Sequence, residues 1–172
     1  MTRMVLKSVL GAVMMLSAAS AMAGRPDQVK YPNLVRSWEA LEGAKQHVQK
    51  AELAHAKHGT LGGHGANAVQ AINAAQIEID EAVMFAETHR RPGAPGVVTP
   101  KPPLTAAPDD VKYPNLGDAR LQTEWAIRHI VDAMQFHGPT GTLGGHGEKA
   151  VEHCRRVLME INQAERWADS HH

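Results

Sequence analysis

The chain has 172 residues, with 18 Lys plus Arg against 18 Asp plus Glu and a formal net charge of zero. That balance excludes the basic footprint of a nucleic-acid or anionic-membrane binder, and a lone cysteine, Cys154, excludes an intramolecular disulfide. Aromatic residues are only 4% of the chain while Ala, Gln, Glu and Leu abound, which favours helices, and the eleven histidines far exceed an ordinary domain's share.

In chain order, Arg3 and Lys7 precede an apolar run from Val9 to Leu16 and the small-x-small motif Ala21-Met22-Ala23. This pattern predicts a secretory signal peptide over residues 1–23, cleaved after Ala23, and hence a periplasmic protein. No later segment approaches the roughly 18 apolar residues that a membrane span needs.

The remainder repeats itself at a constant offset of 82 residues, Tyr31–His89 onto Tyr113–His171. Val29-Lys30-Tyr31-Pro32-Asn33-Leu34 recurs at Val111 to Leu116, and Gly59-Thr60-Leu61-Gly62-Gly63-His64-Gly65 recurs letter for letter at Gly141 to Gly147. Four histidine pairs superpose: His47 on His129, His55 on His137, His64 on His146, and His89 on His171. An internal repeat of this kind sets the architecture first.

Within the first copy (residues 24–90), Leu34, Trp38, Leu41, Ala44, Val48, Ala51 and His55 form one apolar stripe of an amphipathic helix. Asn33 after Pro32 is the expected N-cap, and Gly59 the glycine that ends this helix near His58. A second helix is expected from His64 to about His89, with Ala68, Ile72, Ala75, Ile79, Ala82 and Ala86 on its stripe. A short glycine-rich link between helices of similar length predicts an antiparallel αα-hairpin.

Residues 91–110 carry six prolines and read as a semi-rigid tether. At about 3.1 Å per residue it reaches about 60 Å, farther than a helix of about 39 Å, so parallel and antiparallel docking of the hairpins are both open. The second copy (residues 111–172) predicts a helix from Asn115 to about His137, a turn over 138–145, and a helix from His146 to about Ser170. Its stripes are Leu116, Leu121, Trp125, Ile130 and Ala133, then Ala150, Cys154, Val157, Ile161, Ala164 and Ala168. The expected fold is all-α: two hairpins pairing into a four-helix bundle.

Imidazole is the chemistry that this pattern offers. His55, His58 and His64 lie around the first turn, and His137 and His146 around the second. If both turns lie at one end of the bundle, these five converge, with His47, His129 and His153 as secondary ligands and Glu52 or Glu148 adding carboxylate oxygen. Two to four neutral imidazoles suit copper, zinc or nickel. The alternative for the repeated turn is structural, with His64 and His146 capping or packing on it. Cys154 on the apolar stripe reads as a buried inert thiol, the tyrosines beside proline as end-packing residues, and Trp38, Trp125 and Trp167 as core anchors.

The stretch His47-x7-His55-Ala-Lys-His58-Gly and the Ala-rich helix after Gly62-Gly63-His64 resemble the small periplasmic His-rich metal-binding four-helix-bundle proteins. They also resemble uncharacterised short exported helical proteins with a Gly-Gly-His turn. The resemblance implies a non-catalytic protein that binds or buffers a transition metal. A second expectation is a metal-free bundle that engages an envelope protein through pH-sensitive histidines. A third is non-covalent haem held by a histidine with Met84, Met134 or Met159. No nucleophile elbow, phosphate loop or His-Glu-x-x-His marks an enzyme.

Overall fold

The computed structural model describes residues 26, 30–58, 60–89, 112–136 and 143–171, with the side chain of residue 58 excepted. The leader and the tether expected from the sequence lie outside the described residues.

Four helices carry the fold: α1 (Pro32–Ala54), α2 (His64–Thr88), α3 (Pro114–Phe136) and α4 (His146–Ser170). Helix α1 starts two residues before the expectation, because Pro32 occupies its first turn, where a missing N–H is harmless; Tyr31 rather than Asn33 is the N-cap, and Asn33 is buried inside the helix. It also ends earlier, at Ala54, because His55 caps it. The His55 backbone N–H reaches the Ala51 and Glu52 carbonyls at 3.1 and 3.2 Å, and its Nδ1 donates to Ala51 O at 3.0 Å.

The expected stripes of α1, α2 and α4 are buried, with Trp38 partly so and His55 at the margin. Helix α3 departs from expectation. Leu116, Ala119, Thr123, Ala126, Ile130 and Ala133 face the core, whereas Leu121 and Trp125 lie at its margin. Spacings of three and four run through the small residues here, so the larger side chains are displaced to the edge.

Each helix packs against two neighbours, in the cyclic order α1, α2, α4, α3, and the most extensive contacts join α1 to α3 and α2 to α4, across the hairpins. Late α1 meets early α3, with His47 at 3.5 Å from Asp118 and the His55 ring 5.8 Å from that of Tyr113. On the other side, His64 reaches Glu160, and Glu78 reaches His146. All neighbouring pairs are therefore antiparallel, and the hairpins are related by an approximate twofold axis. The two turns lie at opposite ends.

The repeated Gly-Thr-Leu-Gly-Gly-His-Gly builds this docking. Thr60, Leu61, Gly62 and Gly63 have φ of 50°, 55°, 62° and 83°, a short left-handed turn, and Leu143, Gly144 and Gly145 repeat it at 47°, 70° and 86°. Left-handed backbone costs about 1–2 kcal/mol per non-glycine residue. Leu61 and Leu143 are fully buried, and burial of such a side chain contributes about 1.5–3 kcal/mol, enough to offset that strain. Above the turns, a Cβ at Gly62 would lie 2.7 Å from Trp167 Nε1, and one at Gly144 would lie 2.5 Å from Phe85 Cδ2. Phe85 and Trp167 are counterparts in the repeat, so each hairpin lays the same aromatic position over the other's turn.

Candidate functional site

The antiparallel docking keeps the turn-proximal histidines apart. His55 and His64 lie toward one end and His146 toward the other, so the single cluster expected from parallel docking does not form. The His58 side chain and all of His137 lie outside the described residues.

Three of the described histidines have a local task. His55, His89 and His171 are helix C-caps. Each places Nδ1 about one hydrogen bond from the carbonyl four residues back: 3.0 Å for His55 and His89, and 2.9 Å for His171. A carbonyl only accepts, so Nδ1 carries the proton and donates. His89 stacks on Phe85 at 4.0 Å and His171 on Trp167 at 4.2 Å, which holds the lid aromatics over the opposite turns.

His129 is buried in the core beside Trp125, with ring centroids 5.2 Å apart and neither nitrogen hydrogen-bonded. Burial, reinforced by the charge of Arg36, lowers its pKa and keeps it neutral. Its counterpart His47 is only partly buried and faces Asp118. His153 is half-buried on α4. Cys154 is fully buried, and its thiol is pushed up to about 12 by burial, fitting an inert core residue.

His64 and His146 cross the hairpin boundary. Gly63 and Gly145 precede them as left-handed N-caps, so each histidine opens its helix and aims Nδ1 at the neighbouring helix. His64 Nδ1 donates to Glu160 Oε2 at 2.8 Å, with Asn67 Nδ2 donating to the same oxygen at 3.4 Å. His146 Nδ1 lies 2.7 Å from Glu78 Oε2 and 2.9 Å from Glu81 Oε2, with Lys149 Nζ at 3.8 Å from Glu78. One residue further on, Gly65 and Gly147 permit close approach: a Cβ there would lie 2.5 Å from Glu52 and 2.7 Å from Met134 respectively.

Glu78, Glu81 and His146 are the group of three metal-ligating side chains found among the described residues, their ligand atoms all within 4.8 Å of one another. Of the histidines expected as ligands, only His146 belongs to it. Glu52 instead packs over Gly65 at the other end, where burial raises its pKa. The sequence reading missed Glu78 and Glu81, which lie mid-helix in a stretch without histidine. A signal was nonetheless present: Glu78 recurs as Glu160, but Glu81 becomes Gln163.

The methionines considered for haem are elsewhere. Met84 and Met159 are exposed and Met134 lies against Gly147. A polar pocket of about 320 Å³ is lined by Lys112, Tyr113, Asn162, Glu165, Arg166 and Asp169. Of its lining residues, Glu165 pairs with Arg120 at 2.6 Å, and Asp169 accepts from Tyr113 and Lys112. Among the described residues, no helix is long and apolar enough to cross a membrane. The chain matches no protein family model, no curated protein and no solved structure.

Proposed function

We propose that this is a non-catalytic, exported helical bundle that binds a divalent transition metal between its two hairpins, through His146, Glu78 and Glu81. The observation that carries the reading is the surplus carboxylate. A single N–H needs a single acceptor, and at the first turn His64 has one, Glu160. At the second, two carboxylates converge on one imidazole nitrogen, and a doubly charged cation satisfies that arrangement better than one proton does. One imidazole nitrogen and two carboxylate oxygens suit zinc, nickel or copper(II), with water completing the shell.

Since His146 Nδ1 now faces the carboxylates, metal binding displaces a proton and weakens in acid. The signal-like N-terminus supports a periplasmic location. A metal ion is the partner expected here; the alternative role, docking on an envelope protein, has no comparable cluster behind it.

Thermal unfolding of the untagged, chelator-treated protein tests the reading. A metal at about 100 times its Kd stabilises by about 2.7 kcal/mol. Zinc, nickel or copper(II) should raise Tm in wild type and in His55→Gln, but not in Glu81→Gln, which keeps the His146–Glu78 bond. No shift with any first-row divalent ion, or an undiminished shift in Glu81→Gln, overturns it.

A further inference from the structure

The bundle has two clasps related by its approximate twofold axis, and they differ at one decisive position. His146, Glu78 and Glu81 correspond in the other half to His64, Glu160 and Gln163. In each helix the second residue follows the first by three, one turn on along the same face. The histidine–carboxylate bond is the same at both, 2.7 Å for His146–Glu78 and 2.8 Å for His64–Glu160. Only the first set supplies a second carboxylate. The neighbouring position on the histidine's own helix is Asn67, donating to Glu160, at the one clasp and Lys149, near Glu78, at the other, so the second carboxylate is what sets the two apart.

From this asymmetry we infer that the bundle holds one divalent ion rather than two, and that Gln163 is the residue that keeps the His64–Glu160 clasp a proton-bridged tie. The inference rests on the metal-binding reading above and adds its stoichiometry and the residue that sets it. The amide of Gln163 brings no charge to offset a cation, whereas a carboxylate at this position would restore the three-ligand set. The two ends then respond to different signals. The α4 N-terminus is tied to α2 by metal, and the α2 N-terminus is tied to α4 by hydrogen bonds from His64 and Asn67 to Glu160.

The test is metal stoichiometry of the full untagged chain, by calorimetric titration with zinc, and copper(II)–copper(II) distance measurement by pulsed electron paramagnetic resonance. Wild type should take one ion and Gln163→Glu two. The two ions should lie about 21 Å apart along the bundle, from a 14-residue offset at 1.5 Å per residue. Adding Glu81→Gln to Gln163→Glu should return the count to one. Two ions in wild type, or one ion in a folded Gln163→Glu protein, overturns the inference and leaves the metal-binding reading standing. No ion in wild type overturns both.

Discussion

At the first turn His64 meets one buried carboxylate; at the second His146 lies between two more exposed ones, with a lysine alongside. The heptapeptide that presents these histidines is identical at both ends, as are the left-handed turn, the buried leucine and the overlying aromatic position. The difference therefore arises outside the turn, on the helix that receives it. The repeated motif fixes how the hairpins dock, and the receiving helix decides what the docked histidine can bind.

The common part of that comparison is broken most severely at Gly62. Alanine there takes a left-handed φ of +62° and collides with the Trp167 ring, whereas Gly63, at φ +83°, has open space where a Cβ would go. Left-handed strain of about 1–2 kcal/mol applies to both, and overpacking of about 1–3 kcal/mol only to the first. Denaturant unfolding should show Gly62→Ala destabilised by about 3 kcal/mol and Gly63→Ala by about 1 kcal/mol. Equal losses would mean that the aromatic lid does not rest on the turn.

Removing the histidines separates the two clasps next. His64→Ala leaves Glu160, whose side chain is 8% exposed, with only the long Asn67 bond at 3.4 Å. His146→Ala leaves Glu78 at 15% exposure and Glu81 at 47%, with Lys149 near Glu78. An unpaired buried carboxylate is costly and a solvated one is not. In metal-free buffer at neutral pH, His64→Ala should therefore lose about 2 kcal/mol and His146→Ala about 1 kcal/mol or less. The opposite order would show that burial of the acceptor does not govern the clasp.

Much of this framework is legible in the sequence, and the reasons differ by element. The stripes of α2 and α4 recur unbroken at three and four, so periodicity alone identifies their buried faces. In α3 the same rule misleads, because Leu121 and Trp125 attract attention while Ala119, Thr123 and Ala126 make the closer contact. The histidine pattern marked the right turns but merged two roles. His55, His89 and His171 are recurrent because each copy must end its helices, whereas His64 and His146 reach glutamates of the other hairpin. Antiparallel docking depends on contacts such as Trp167 over Gly62, which lie far apart in sequence and which a long tether leaves unconstrained. Glu78 and Glu81 gain meaning only after that docking is known.

The smallest predicted effect tests divergence on the inner faces of the two copies. In the second copy Arg120 donates to Asn162 and Glu165 at 2.7 Å. Their counterparts are Trp38, Asp80 and Val83, and no cation replaces the arginine at that position. Asp80 Oδ1 and Trp38 Nε1 are both buried without a hydrogen-bond partner, and burial raises the Asp80 carboxyl from 3.8 to about 6. Because the folded value lies above the unfolded one, the native state binds the extra proton, and this contribution to stability is fully present below about pH 4 and lost as pH rises through 6. Asp80→Asn, which copies the other half, removes that loss. After discounting for partial solvent screening, the variant should be about 1 kcal/mol more stable than wild type at pH 7, with the gap closing by pH 4. Urea midpoints measured across that range give the answer: a gap that stays constant with pH, or that widens toward acid, would show that the buried carboxyl is not the source.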